Sequence, residues 1–215
     1  MKKVRMLTLI AVSMISLASC KKDNTDNSGF TFQLKTANPT STVTRTMATV
    51  IWQSGFVNAN LIKFEAKQSG NEVEFKSSVQ RHIDLFALPS DIGNITVPAG
   101  VYDETEFKIF IAPNSGAPAF QLQGTVNNTP VTFQVDNNIF IKAEQRQVTL
   151  SGSNVALTTL NLSGLTQGVS ATDFANAIQT NGTIMISSSS NTNLYNAILT
   201  NLSRLGETEV EVHHH

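Results

Sequence analysis

The chain has 215 residues, of which 40% are hydrophobic and only 14% are charged, and its formal net charge at pH 7 is −1. Without residues 1–19, 12 basic and 16 acidic residues remain, which gives a net charge of −4. This balance, with no basic stripe of interleaved aromatic residues, excludes a nucleic-acid partner. The 196 residues after position 19 are enough for one sizeable core, so we expect a single domain.

The first 20 residues have the pattern of a bacterial lipoprotein signal peptide. Lys2, Lys3 and Arg5 precede an apolar run over residues 6–17, which is too short to span a bilayer. The run ends in Leu17-Ala18-Ser19-Cys20, which resembles the lipobox of bacterial lipoproteins. We therefore expect cleavage after residue 19 and acylation of the Cys20 thiol, with the mature protein anchored to the membrane rather than spanning it.

Cys20 is the only cysteine, so the chain has no intramolecular disulfide. Residues 21–29 contain no aliphatic or aromatic side chain, and we expect residues 20–29 to form a flexible tether. Within it, Lys22-Asp23 resembles the export signal of some Bacteroidetes lipoproteins, although Asn24 stands where a second acidic residue is usual. We expect an outer-membrane lipoprotein. The Lys22-Asp23 pair is either a signal for exposure at the cell surface or part of a merely soluble linker, and both alternatives stay open.

From Phe30 to Leu162 the chain consists of short alternating segments separated by turn residues, the pattern of β-strands. The clearest case is a hairpin in which Ile62 to Lys67 and Val73 to Lys76 alternate around Ser69-Gly70-Asn71. No helical pattern lies between the strands, which favours an antiparallel β-sandwich. The charged residues that alternate with the apolar ones are expected to form a solvated sheet face.

After Gly164 the pattern becomes partly helical. Ser170 is a predicted cap for a short helix that carries Phe174 and Ile178, and a strand follows at Thr183 to Ile186. A second helix is predicted from an apolar stripe that packs on the sandwich or, alternatively, docks another subunit. Its residues are Leu194, Tyr195, Ile198, Leu199, Leu202 and Leu205, with Gly206 as the terminator. The single domain is therefore expected over residues 30–206, and residues 207–215 as a disordered tail.

Four segments resemble an uncharacterised domain-of-unknown-function family of Bacteroidetes cell-surface lipoproteins. They are Trp52-Gln53-Ser54-Gly55, Ile62-Lys63-Phe64-Glu65, Ile83-Asp84-Leu85-Phe86-Ala87-Leu88 and Val97-Pro98-Ala99-Gly100-Val101-Tyr102. The likeness covers roughly residues 30–162. It implies an immunoglobulin- or transthyretin-like sandwich at the cell surface, with no established catalysis.

A structural turn motif is expected around Pro98, Gly100 and Tyr102. Pro98 fixes φ, Gly100 allows a positive φ or a close approach, and Tyr102 buries its ring while its hydroxyl bonds to backbone. Asp84 lies on the strand face opposite to Ile83 and is expected to bond turn amides or to pair with His82. We prefer these structural roles to a catalytic dyad, because no nucleophile lies nearby in the sequence.

No sequence motif indicates a cofactor, a metal or catalysis. The chain lacks H-E-x-x-H, G-x-S-x-G, a phosphate-binding glycine loop and C-x-x-C. Asp103, Glu104 and Glu106 are candidates for a calcium site, but their spacing fits no defined calcium loop and a solvated turn is preferred. The terminal His213 to His215 can bind metal, but we assign them no biological role.

Three functions remain open from the sequence. The first is a non-catalytic surface lipoprotein that binds a protein or glycan, or serves as an accessory subunit; only one Trp and two Tyr are present for stacking on sugars. The second is a fimbrial subunit, since transthyretin-like pilins also begin as lipoproteins and lose their first strand by cleavage after a basic residue, here Arg45. The third is a hydrolase whose site has no recognisable motif.

Overall fold

The computed structural model of the chain describes residues 27–37, 39–43, 48–87, 89–205 and 210–214. Cys20, Arg45 and the predicted signal peptide lie outside these residues. The fold is mainly β with few helices, as the alternation predicts. The strands are β1 (Asn27–Ala37), β2 (Thr40–Val43), β3 (Ala48–Gln68), β4 (Asn71–Asp84), β5 (Ser90–Pro98), β6 (Gly100–Ile111), β7 (Phe120–Val126), β8 (Thr129–Val135), β9 (Ile139–Leu150), β10 (Ser153–Asn161), β11 (Gln179–Thr180), β12 (Thr183–Ile186) and β13 (Val210–His214). A 3₁₀ turn follows β10 at Leu162–Gly164, and the helices are α1 (Ala171–Ala175) and α2 (Thr192–Leu205).

Over the described residues, the strands form two mixed sheets. The smaller sheet has the order β13-β10-β1-β5, and the larger has the order β11-β12-β8-β7-β3-β6-β9, with β2 and β4 also paired to β3. Most pairs are antiparallel, as expected, but β1 pairs with β10 and β8 with β12 in parallel. The expectation of an antiparallel sandwich is therefore confirmed only in part, because each sheet contains one parallel pair. A parallel neighbour can come from a distant part of the chain, which local alternation does not reveal.

Strand β3 connects the two halves of the larger sheet. Its residue Val57 is paired with Phe120 of β7 on one edge and with Ile83 of β4 on the other. Two residues later, Ala59 is paired with Ile111 of β6 and again with β4. The first half of β3 therefore belongs to the β7-β8-β12 half of the sheet, and its second half belongs to the β4-β6-β9 half.

The predicted hairpin is confirmed as β3–β4. Ser69 and Gly70, with φ values of 51° and 82°, form its two-residue turn, and Gln68 pairs with Asn71 across it. Positive φ at both central positions matches the right-handed twist of the flanking strands. The sequence predicted short strands on both sides of this turn, whereas β3 and β4 continue to 21 and 14 residues.

The main core lies between the smaller sheet and the second half of β3. Phe30 and Phe32, which share one face of β1, are 1% and 0% exposed. The Phe30 ring centroid lies 5.4 Å from that of Phe64 on β3 and 5.5 Å from that of Phe107 on β6. The period-two pattern at the start of the domain thus fills the space between the two sheets.

Helix α2 packs against the other half of the larger sheet. Leu194, Tyr195, Ile198 and Leu202 are buried, and the Tyr195 ring centroid lies 6.0 Å from that of Phe133 on β8. At these four positions the predicted apolar stripe is therefore core rather than a free docking face, while the Leu205 side chain and the predicted terminator Gly206 lie outside the described part of the chain. The predicted strand Thr183 to Ile186 is confirmed as β12.

Two expectations for the end of the chain differ from the structure. Ser170 caps α1 through a capping box with Asp173 as predicted, but α1 ends at Ala175, so Ile178 is outside the helix and 68% exposed. Residues 207–215 were expected to be disordered, yet Val210–His214 forms β13, which pairs antiparallel with β10. Val210 and Val212 alternate with acidic or polar neighbours, which is a strand pattern too short to identify from sequence.

No helix among the described residues is long and apolar enough to cross a membrane.

Candidate functional site

The Pro98–Tyr102 turn lies beside the first residues of β1. Strand β1 begins at Asn27, three residues before the predicted start of the domain, and Asn27 pairs with Pro98. The Tyr102 ring is fully buried, and its hydroxyl donates a 2.7 Å hydrogen bond to the Pro98 carbonyl oxygen. Burial raises the pKa of this hydroxyl above its usual range. These contacts tie the β5–β6 turn to the core beside the start of β1.

Polar contacts hold the start of β1 at the same end of the domain. The Ser28 hydroxyl donates to the Gly152 carbonyl oxygen at 2.6 Å, and the Asn154 amide donates to the Ser28 hydroxyl at 2.5 Å. Both side chains are buried. Gly100 has a φ of +156°, and a Cβ atom there would lie 2.7 Å from Nε2 of Gln68, the last residue of β3. The start of β1, Gly100 and the end of β3 are therefore neighbours.

Asp84 and His82 do not form a pair. The Asp84 carboxylate accepts a 2.8 Å hydrogen bond from the Phe86 backbone amide, so it closes the turn after β4. His82 Nδ1 lies 2.9 Å from Oδ1 of the buried Asn58 instead. Of the two roles expected for Asp84, the structure has the turn contact and not the contact with His82.

The outer face of β4, β3, β6 and β9 carries two rows of like charge. The strand register places four lysines side by side and four glutamates beside them. The lysine row is Lys76, Lys63, Lys108 and Lys142, and the glutamate row is Glu74, Glu65, Glu106 and Glu144. Like charges directly opposite one another repel, which destabilises each row on its own. Ion pairs between the two rows offset this repulsion.

Ion pairs link the two rows from β4 to β9. Lys63 bonds Glu65 and, at 2.8 Å, Glu74. Lys108 bonds Glu65 and, at 2.7 Å, Glu106. Lys142 continues the chain to Glu106 at 3.4 Å and to Glu144 at 3.0 Å. The central members of the rows are only 22–28% exposed, because each long side chain covers its neighbours.

Glu65 is the most strongly perturbed carboxylate of the rows. Its contacts with the Lys108 and Lys63 ammonium groups lower its pKa to about 2, against the opposing effect of burial. In return, the hydrogen bonds that the Lys63 ammonium donates to Glu65 and then to Glu74 raise the pKa of Lys63. All of these groups are charged at neutral pH, so this face carries fixed and mutually compensated charge.

The candidate calcium residues belong to this face and not to a turn. Asp103, Glu104 and Glu106 lie within β6, where Glu104 adopts a φ of 49° and pairs with Lys67. Glu106 is paired with Lys108 and Lys142. Over the residues that the structure describes, no three His, Cys, Asp or Glu side chains come close enough together to hold a metal ion. His213 and His214 lie in β13, and His215 lies outside the described residues.

The described residues form an open cleft of about 590 Å³ between α1, the segment after it and the start of α2. We call it the helix cleft. Its walls combine amide, hydroxyl and carboxylate groups with small apolar side chains. They include Val169, Asp173, Asn176, Ala177, Ile178, Ser189, Asn191, Thr192, Asn193 and Ala197.

Asn191 fixes the shape of the helix cleft. Its side-chain oxygen accepts a 2.8 Å hydrogen bond from the Ile178 amide, and its Nδ2 donates to the carbonyl oxygens of Ile178 at 2.9 Å and Met185 at 2.7 Å. Asn191 has a φ of 51°, a conformation that Asn tolerates better than most residues. It therefore joins the segment after α1 to β12 and leaves the Ile178 side chain facing solvent.

Several polar groups of the helix cleft are not engaged by the protein. Asn176 and Asn193 are exposed and have no side-chain partner in the described part of the chain. The Asp173 carboxylate is occupied by Ser170, whose hydroxyl and backbone amide lower its pKa. The cleft therefore offers two free primary amides beside an apolar surface, an arrangement that suits an uncharged polar ligand.

The sequence predicted only part of these sites. The alternation of lysine and glutamate on β3, β4 and β6 was visible as a solvated face, but the rows depend on strand register. The helix cleft had no sequence motif, because its residues belong to three different elements and are common loop types. No protein-family model, curated protein or solved structure matches the chain.

Proposed function

We propose that this protein is a non-catalytic, lipid-anchored protein of the outer membrane that binds a protein ligand through the helix cleft. The anchor is Cys20, acylated after removal of residues 1–19, and the ligand is an uncharged polar peptide segment. The observation that carries the proposal is the free amide pair, Asn176 and Asn193, in the helix cleft.

The positions of the tether and the cleft support a display role. The tether joins β1 beside Pro98, at the end of the domain that holds Gly100 and the last residue of β3. The helix cleft belongs to the half of the larger sheet that pairs with the first half of β3. Strand β3 is 21 residues long and runs through both halves of the larger sheet. The attachment point of the tether and the helix cleft therefore belong to opposite halves of that sheet.

A peptide fits the helix cleft better than a glycan. None of the residues that line the cleft is aromatic, so no ring is available to stack on a sugar. Free amides donate to and accept from a peptide backbone, and the 68% exposed Ile178 side chain offers an apolar contact beside them.

The proposal also includes membership of the Bacteroidetes lipoprotein family and its immunoglobulin- or transthyretin-like sandwich, which the four sequence segments and the two packed sheets support.

Two experiments test this function. Cys20→Ser should abolish incorporation of radiolabelled palmitate and stable membrane retention, and labelling of the variant would contradict the anchor. For the cleft, a peptide library and a glycan array are passed over the immobilised protein. We expect peptides to be retained by the wild type and by Asn196→Ala, an exposed α2 residue outside the cleft, but not by Asn176→Ala/Asn193→Ala. Peptide binding that survives the double substitution, or retention of glycans alone, would contradict it.

A fimbrial subunit is the second candidate, and one observation favours it. Strand β1 lies between β10 and β5 in the smaller sheet, so its removal would leave two strand edges facing each other across a groove. A strand from another subunit fills such a groove in donor-strand complexes. Arg45, the cleavage point in this hypothesis, lies outside the described residues.

A further inference from the structure

Strand β9 is a long sheet edge with a self-complementary charge pattern. It ends the larger sheet, with β6 on one side and no strand hydrogen-bonded to its other side in the part of the chain that the structure describes, and α2 and β13 each contact part of it. It has 12 residues and contains neither proline nor glycine, the residues that commonly interrupt an edge. Such an edge is a template for another strand.

The side chains of β9 alternate strictly over its first seven residues. Phe140, Lys142 and Glu144 lie on the outer face, and Ile141 and Ala143 are buried on the inner face. Phe140 is 50% exposed, so its ring is available to a strand added at this edge. The outer face of the edge therefore has an apolar group followed by a positive and then a negative charge.

We propose that β9 pairs antiparallel with β9 of a second copy of this chain, about a twofold axis at Ala143. In this register Lys142 lies opposite Glu144 of the second copy, and Glu144 lies opposite its Lys142. Phe140 lies opposite the exposed Arg146, which places a guanidinium beside an aromatic ring. Every pair on the outer face is then attractive, and the two copies contribute identical surfaces, as a twofold dimer requires.

The charge pattern selects this register over its immediate neighbours. An axis one residue away, at Lys142 or at Glu144, places two identical charges directly opposite each other, which is destabilising. Across the axis at Ala143, the lysine row of one copy continues into the glutamate row of the other. The dimer thereby adds ion pairs to those that already link β6 to β9.

One buried polar atom near this edge also fits an added strand. Gln145 Oε1 is buried and has no hydrogen-bond partner among the described residues. An unsatisfied buried acceptor is uncommon and costs free energy. In the proposed register Gln145 lies opposite Ile141 of the second copy, so an added strand brings backbone donors, and no side-chain donor from Ile141, to this part of the edge.

Charge reversal tests the proposal without removing any buried side chain. The chain from residue 20 onward, with Cys20→Ser, is studied by sedimentation equilibrium and native mass spectrometry, and its folding is checked by circular dichroism. We expect a dimer of the wild type, and a dissociation constant raised at least about tenfold by either Lys142→Glu or Glu144→Lys. Glu72→Lys, an exposed charge reversal on β4, is the matched control and should leave dimerisation unchanged.

Mixing the two variants gives the decisive result. Lys142→Glu carries two glutamates at these positions and Glu144→Lys carries two lysines, so the mixture should form heterodimers although neither variant pairs with itself. A wild type that stays monomeric at about 100 μM, well above a micromolar dissociation constant, would overturn the proposal. A dimer that both variants retain, or a mixture that forms no heterodimer, would also overturn it.

Discussion

Tyr102 shows how one side chain stabilises the turn beside the start of β1. Its ring packs edge-on against Phe64 in the core, with ring centroids 5.4 Å apart, while its hydroxyl reaches the Pro98 carbonyl oxygen four residues earlier. Pro98 in turn pairs with Asn27, the first residue of β1. The hydrogen bond therefore fixes the turn against which the first strand begins.

Replacing Tyr102 by Phe should separate the effect of the hydroxyl from that of the ring. The loss of one buried hydrogen bond should lower the free energy of unfolding by about 1 kcal/mol, measured by urea denaturation. Tyr102→Ala, which also empties the space of the ring, should cost about 3–5 kcal/mol. Val101→Ala, at a neighbour that is 48% exposed, should change stability by no more than about 0.5 kcal/mol. Equal stabilities of Tyr102→Phe and the wild type would contradict the role of the hydroxyl.

At the scale of single residues, the sequence predicted the local role of a side chain better than it predicted its distant hydrogen-bond partner. The burial of Tyr102 and the turn contact of Asp84 follow from local features, namely an aromatic residue after Pro-x-Gly and a carboxylate at a strand end. The partner of His82 did not follow, because Asn58 lies 24 positions away and reaches it through the β3–β4 register. The helix cleft was missed for the same reason.

Among the elements, β3 and β7 cross at a position that only glycine occupies without a clash. Gly124 of β7 pairs with Trp52 of β3, and a Cβ atom at Gly124 would lie 2.1 Å from the Ile51 carbonyl oxygen and 2.9 Å from Trp52 Cα. Both contacts are with backbone, which a side-chain rotation cannot relieve. The two strands would have to separate to make room for a side chain.

Gly124→Ala should therefore destabilise the β7-β8-β12 half of the larger sheet. We expect the free energy of unfolding to fall by about 3 kcal/mol or more, since the clash is with main-chain atoms. Gly29→Ala in β1 is the control, because a Cβ atom there meets nothing within 4 Å. Chemical denaturation of both variants measures the difference, and similar stabilities would show that the crossing tolerates a side chain.

The charged rows make acid stability depend on Glu65. The pKa of Glu65 in the folded protein, about 2, is below its ordinary value of 4.5. The unfolded chain therefore binds more protons in the interval between these values. The stabilisation by Glu65 is complete above about pH 5 and is lost as pH falls to about 2.

Glu65→Gln should consequently weaken the acid dependence of unfolding. At pH 7 the wild type should be more stable by about 1–2 kcal/mol, a figure reduced from the full pKa shift because the side chain is 28% exposed. The difference should shrink steadily between about pH 5 and pH 2. Glu72→Gln, at an exposed position of β4, serves as the control. Parallel pH profiles of Glu65→Gln and the wild type would contradict the prediction.

At the scale of elements, the sequence predicted which strands and helices exist better than it predicted which strands pair with one another. Alternation located the β3–β4 hairpin, β12 and α2, since each has a strong local pattern. It did not predict that β3 is one strand of 21 residues shared by two half-sheets, or that the two rows of like charge lie side by side. Both depend on which strands are neighbours, and this is decided by contacts between distant parts of the chain.

For the whole molecule, β1 decides between the binding protein and the fimbrial subunit. It holds the centre of the smaller sheet, between the parallel β10 and the antiparallel β5. Its inward residues Phe30, Phe32 and Leu34 are 1%, 0% and 2% exposed. Burial of each side chain stabilises the fold by roughly 1.5–3 kcal/mol, a large share of a typical total of about 5–15 kcal/mol.

We predict that the mature protein keeps β1 and that deletion of residues 28–36 leaves it unfolded or aggregated. Terminal sequencing or mass spectrometry of cell-surface material should find lipidated Cys20 at the N-terminus, because a strand that supplies this much of the core is retained in a self-sufficient domain. In the fimbrial hypothesis, cleavage after Arg45 gives a chain that starts at Thr46, and the groove left by β1 is filled by a strand from another subunit. A synthetic peptide of residues 27–37, added to the chain from residue 46 onward, measures whether that groove accepts a strand. A dominant surface species that starts at Thr46, together with polymers of that species, would decide in favour of the fimbrial subunit.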